Sequence, residues 1–192
     1  MTVTEPHKRG RLPGVDGVWV FIGADAVIFA LLFFSFMKDR YAEPALFESA
    51  RRTLNFSLAG ADTLLLITSS WLVALAVRAA KLGVSAGTPR LLFGGALTGL
   101  LFAISKSVEY GEKFSAGITP ATNGFFMWYF ALTGIHLLHV LVGTALLGYV
   151  WTRTRRAVFL PRDSTVLECV ASFWHLVDLL WIVLFPLLYL QR

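Results

Sequence analysis

Five apolar blocks, roughly Gly17–Met37, Phe56–Val77, Leu91–Tyr110, Gly124–Trp151 and Val166–Leu190, decide what this 192-residue chain can fold into. A bilayer core about 30 Å thick needs about 20 residues of helix at 1.5 Å each, and every block reaches that length. The connections are short and carry turn-formers and charges: Glu43-Pro44, Gly83 to Pro89, Gly117 to Pro120 and Arg153 to Asp163. The expected fold is all-α, a polytopic bundle of five transmembrane helices. It forms one domain over residues 17–192, behind a polar, basic tail at 1–16. The first block is too long for a removable signal peptide and has no small-residue cleavage site, so it stays as the first helix.

Composition agrees. Soluble domains are about 45–50% apolar and about a quarter charged, whereas this chain is 56% apolar and 15% charged, which excludes disorder. The single cysteine, Cys169, excludes an internal disulfide and reads as a small buried residue. The net charge of +5 does not indicate nucleic acid, because Lys and Arg are confined to stretches between blocks. The tail and the second and fourth loops hold ten of them (Lys8, Arg9, Arg11, Arg78, Lys81, Arg90, Arg153, Arg155, Arg156, Arg162). The other side holds six (Lys38, Arg40, Arg51, Arg52, Lys113, Arg192). Positive-inside counting therefore expects a cytoplasmic N-terminus and an external C-terminus. Trp128, Tyr129, Trp151, Trp181 and Tyr189 lie near block ends and are expected to anchor at headgroup level. No Gly-rich phosphate loop and no HExxH occurs.

The third block contains Gly95 and Gly99 at GxxxG spacing, which lets another helix approach closely. Inside the blocks stand Asp25, Asp62, Lys106, Glu109, His136, His139, His175 and Asp178. Each costs about 2.5–3.5 kcal/mol or more at a lipid-facing helix centre, so those near mid-depth should face protein or water. Asp62, Lys106 and Glu109 lie toward block ends, where snorkelling suffices. Asp25 sits about 12 Å into the first helix with only apolar neighbours in sequence, and needs a donor from another helix. His136 and His139 are three apart and share one side of the fourth helix; His175 and Asp178 share a face of the fifth. A carboxylate one turn from an imidazole can fix its tautomer.

A bis-histidine haem would draw its ligands from facing helices at similar depth, which leaves only His175 opposite the pair. No Glu-x-x-His motif offers a metal site. The expectation is no metal in this chain and a hydrogen-bonded network between the fourth and fifth helices. Two other classes stay open on the residues alone. One is a small b-type cytochrome using His136 or His139 with His175. The other is a proton transporter using Asp25, Asp62 and Glu109, without support from internal repeats.

The segment Phe125-Phe126-Met127-Trp128-Tyr129-Phe130-Ala131-Leu132-Thr133-Gly134-Ile135-His136-Leu137-Leu138-His139-Val140, followed by Gly143, resembles a helix of subunit III of haem–copper oxidases. Phe173-Trp174-His175-Leu176-Val177-Asp178-Leu179-Leu180-Trp181 resembles that family's closing helix. Trp19-Val20-Phe21, Thr63, Ser69-Ser70 and Glu109-Tyr110 are supporting matches, so the resemblance runs from Trp19 to Tyr189 and fits the short, five-helix bacterial form. It implies a non-catalytic subunit of the bacterial cytoplasmic membrane that holds no haem or copper itself. Such a subunit packs beside the catalytic subunit I (with subunit II), shelters phospholipid, and supports proton uptake and durability during turnover. By position, Asp25 matches the family's buried first-helix carboxylate and Glu109 the Glu of its Glu-Tyr pair. His136, His139, His175 and Asp178 match its last two helices. The family usually has Glu at Asp25, Asn at Asp62 and Gln near Lys106. Those departures, with Gly117-Ile118-Thr119-Pro120 and Asn123, resemble the subunit-III-like proteins that accompany nitric oxide reductases, so the parent complex is open between oxidase and nitric oxide reductase.

Overall fold

The computed structural model describes residues 16–83, 87–155 and 161–190. Its helices are α1 (Asp16–Ala42), α2 (Pro44–Arg51), α3 (Phe56–Lys81), α4 (Thr88–Ser115), α5 (Gly124–Thr154) and α6 (Pro161–Phe185), and α6 runs on into a π-helical turn, Pro186–Leu190. The predicted basic tail, Asp16 apart, lies outside the described residues, as do Arg156 of the fourth loop and Arg192. Five spans, Gly17–Ala42, Phe56–Lys81, Thr88–Ser115, Gly124–Thr154 and Ser164–Leu190, are long and apolar enough to cross a membrane.

Most helices outlast their apolar blocks by about a turn, because hydropathy marks only the hydrocarbon layer while local chemistry sets the backbone ends. Asn55 and Asn123 cap α3 and α5, accepting from the N–H of Leu58 (3.1 Å) and Phe126 (3.0 Å). Pro44 and Pro89 occupy first-turn positions of α2 and α4, where no N–H is needed. Gly83 and Gly117 leave α3 and α4 at φ +72° and +75°, a left-handed conformation that suits glycine. At Pro186 the N–H owed to the Ile182 carbonyl is missing, and from there the last helix widens.

The sequence expectation of a plain turn at Glu43-Pro44 needs correcting: α2 is an eight-residue helix between the first two spans. It buries Phe47 and Ala50, with Phe47 edge-on to Phe36 of α1 and Phe125 of α5 at 5.6 Å each. Its polar face carries Glu48, which accepts from Arg51 Nη2 (2.8 Å) and Nε (3.0 Å) and from Arg52 Nε (3.1 Å). Those guanidiniums hold the Glu48 carboxyl down at about 2.

α3, α4, α5 and α6 pack on one another around a shared core, and α1 leans on α5 and α6 from outside. α1 buries a narrow stripe of Asp25, Phe29 and Phe36 while Val20, Val27, Ile28, Leu31 and Phe34 face outward. The two glycines of the GxxxG serve different neighbours. A Cβ on Gly95 would lie 2.9 Å from Val73 of α3, and Ser69 donates to the Gly95 carbonyl at 2.8 Å. A Cβ on Gly99 would lie 2.6 Å from both Thr144 of α5 and Trp174 of α6. Gly143 clears the other side of the same indole, again at 2.6 Å, so Trp174 fills a slot between α4 and α5 made by two missing side chains.

Three outcomes follow. Gly143→Ala forces the indole to move and should lower the stability of the detergent-solubilised protein by about 1–3 kcal/mol. Gly148→Ala, with nothing within 4 Å of its Cβ, should not lower it in the same melting experiment. Glu48→Gln at neutral pH should speed tryptic cleavage at Arg51–Arg52. The lowered carboxyl means that the clamp is intact above the ordinary value of 4.5 and is lost as pH falls toward about 2.

Candidate functional site

The densest polar cluster lies where α3 begins and α4 and α6 end, on the α2 side of the bundle. Lys106 of α4 is fully buried, with Nζ 2.6 Å from Glu109 Oε2 and 3.3 Å from Asp62 Oδ2 of α3. It also donates to the Tyr189 hydroxyl at 3.2 Å, and that hydroxyl donates to Glu109 Oε1 at 3.3 Å. The ammonium stands over the Trp181 ring at 4.8 Å and the Tyr189 ring at 5.5 Å. Trp181 is fixed in turn by its indole N–H to Thr63 Oγ1 (2.9 Å), and the Tyr189 carbonyl accepts from Arg51 of α2 (3.0 Å). Snorkelling is thereby overturned for all three residues, whose side chains are at most 2% exposed. The expectation of headgroup anchoring also fails for Tyr129, Trp181 and Tyr189, which are buried in the core.

A second cluster joins α1 to α5. Asp25 Oδ1 lies 3.1 Å from His139 Nε2, and His139 Nδ1 lies 2.8 Å from the Ile135 carbonyl. A carbonyl only accepts, so Nδ1 carries a hydrogen, and the Nε2–Oδ1 contact then needs one hydrogen shared between the two atoms. The rings of Phe29 (5.6 Å) and Phe173 (6.2 Å) flank the imidazole. Asp25 thus receives its partner from another helix, and it ties the least buried helix to the bundle with Trp128, whose indole N–H bonds Asp39 at 2.8 Å.

The remaining residues diverge. His136 is fully buried against Phe102 (edge-on, 5.6 Å) and Trp181 (5.1 Å), away from His139's partner. His175 shares a 2.6 Å hydrogen bond with Ser70 of α3, so a serine occupies the place expected for Asp178, which lies buried one turn further on. The expected α5–α6 polar lock is therefore replaced by links from α5 to α1 and from α6 to α3. The three imidazoles meet three different sets of neighbours, and among the described residues no group of three or more His, Cys, Asp or Glu is arranged to hold a metal ion. Tyr189 was expected only at the headgroups and Ser70 only as part of the family resemblance, and only Lys106's demand for partners hinted at the tyrosine's place.

Comparison with known proteins converges on one family. A family profile described as cytochrome c oxidase subunit III matches residues 7–191. A probable cytochrome c oxidase subunit 3 of Mycobacterium tuberculosis is 30% identical over 176 residues, covering 92% of this chain and 87% of the relative. The cytochrome c oxidase subunit 3 of Synechocystis is 33% identical over 192 residues, with 98% and 81% covered. The cytochrome bo(3) ubiquinol oxidase subunit 3 of Pseudomonas putida is 27% identical over 186 residues, with 96% and 88% covered.

Lys106→Met removes the cation between two buried carboxyl groups and should cost roughly 3–5 kcal/mol. The double change Asp62→Asn with Lys106→Gln, which replaces one carboxyl and the ammonium by amides and leaves Glu109 beside neutral partners, should recover most of that loss. Melting of the solubilised protein measures both.

Proposed function

The chain belongs to the cytochrome c oxidase subunit III family, a multi-pass membrane subunit of haem–copper terminal oxidases, and from that premise we propose that it does no redox chemistry of its own. It sits in the bacterial cytoplasmic membrane with the N-terminus inside, packs beside the catalytic subunit I and its companion subunit II, and leaves haem and copper to them. The observation that carries this reading is the Asp25–His139 pair, which joins α5 to α1, the least buried span, whose outer face of Val20, Val27, Ile28, Leu31 and Phe34 is available to phospholipid and a partner subunit. A carboxyl and an imidazole sharing one hydrogen at mid-depth suit support of proton uptake and of durability during turnover. His136, His175 and Asp178 act as positioning residues, His136 against Trp181, His175 and Asp178 on the face of α6 toward α3, while Glu109 accepts from the Tyr189 hydroxyl and Lys106. The relatives' names cover both cytochrome c and ubiquinol oxidases, so the electron donor belongs to the partner subunits.

The test is purification of the tagged chain from its host in mild detergent, with a visible spectrum and mass-spectrometric identification of what accompanies it. Haem in proportion to a catalytic subunit, and absent from the chain expressed alone, is the expected result. Haem on the isolated chain overturns it, and a nitric oxide reductase as the companion reassigns the parent complex. Asp25→Asn keeps a hydrogen-bonding group beside His139 but removes the shared acidic hydrogen. The complex should assemble, with lower turnover or faster inactivation; unchanged turnover and lifetime remove the role given to Asp25.

A further inference from the structure

Lys106, Asp62 and Glu109 bring two carboxyl groups to one ammonium at 0–2% exposure within the spans. With all three ionised, the triad carries one uncompensated negative charge in a region without bulk water, a strongly unfavourable state. Lys113 acts on Glu109 electrostatically, but neither it nor Arg51 or Arg52 makes a hydrogen bond or ion pair to a triad carboxyl. Arg51 bonds Glu48 and the Tyr189 carbonyl, Arg52 bonds Glu48, and Lys113 donates to the Thr53 carbonyl at 2.7 Å. The titratable groups facing the triad from α5 are Tyr129 and His136, and His136 meets its neighbours through the aromatic rings of Phe102 and Trp181. From the end of α6 comes Tyr189, and from α3 only Asp62 itself with the neutral Thr63. The missing positive charge has one economical source, a hydrogen on a carboxyl group.

We propose that the triad is a proton-binding site: Asp62 and Glu109 together hold one proton beside Lys106, exchanged with the aqueous phase on the α2 side by way of Tyr189. Tyr189 belongs to both places. Its hydroxyl accepts from Lys106 and donates to Glu109, and the residue lines a surface pocket of about 330 Å³ with Arg51, Arg52, Leu54, Phe56 and Leu190. In uptake, the phenol's own hydrogen forms the O–H bond on Glu109 Oε1, and the phenol oxygen takes a replacement from a hydronium ion that enters by way of the pocket, leaving water. Release is the reverse, with water accepting the proton as hydronium; no electron moves. The site is separate from the Asp25–His139 pair and does not depend on the role proposed for that pair.

Infrared spectroscopy of the purified complex containing this chain, in H₂O and in D₂O, reads the site directly. The wild-type-minus-variant spectrum should contain a protonated-carboxyl C=O band that moves to lower frequency in D₂O and is lost in Asp62→Asn or in Glu109→Gln. If Asp62→Asn fails to assemble, Asp62→Glu retains a carboxyl group there and should displace the band instead. Tyr189→Phe should keep the band and slow its hydrogen exchange several-fold. A carboxyl region unchanged by the substitutions at 62 and 109 means that both groups are ionised and overturns the proposal. Exchange in Tyr189→Phe as fast as in the wild type overturns the route through Tyr189.

Discussion

A lysine ammonium inside a bilayer has no water to solvate it, and the α2 end of this bundle is arranged around that demand. Lys106 is satisfied on three sides by groups from three segments: Asp62 of α3, Glu109 one turn along its own helix, and the Tyr189 hydroxyl of the π turn. The indole of Trp181 covers it, and Thr63 holds the indole. Arg51 then binds the Tyr189 carbonyl and brings α2 into the same assembly. Each partner is worth little alone; together they make one ammonium compatible with an apolar layer, at the cost of fixing where α3, α6 and α2 lie.

The spans were legible in the sequence because twenty-odd apolar residues have few folds open to them in a bilayer. Their ends were not, since caps such as Asn55 and Asn123 and the left-handed Gly83 and Gly117 act on the backbone without changing hydropathy. α2 escaped notice because eight residues between a proline and a pair of arginines look like a connection; Phe47 and Ala50 show their helical spacing only once the core they enter is known. The Gly95–Gly99 spacing announced close packing but could not say that the two glycines would serve different neighbours, because one period fits any helix.

The candidate residues were legible as residue types and much less as partners. Asp25 stood out by its apolar surroundings, while its link to His139 spans 114 positions and leaves no local trace. Position toward the end of a block made Lys106 look able to reach water, yet Asp62 and Glu109 keep it inside. The same reasoning put Trp181 and Tyr189 at the headgroups, although a buried cation gives aromatic faces a reason to turn inward. His175 and Asp178 share a helix face as expected, and the serine opposite still took the imidazole, because Ser70 reaches it from α3 at 2.6 Å.

The two charge clusters at the α2 end stand on opposite sides of the boundary where ions can follow. Mobile counter-ions act only through water, with a Debye length of about 8 Å at physiological ionic strength. Glu48 and Arg52 lie in that water, the arginine 74% exposed, so their attraction fades as electrolyte is added. Lys106, Asp62 and Glu109 are closed off from it, and their attraction is indifferent to the saltiness of the medium. High ionic strength therefore weakens the clamp that closes the end of α2 on itself, while the buried triad that joins α3 to α4 keeps its strength.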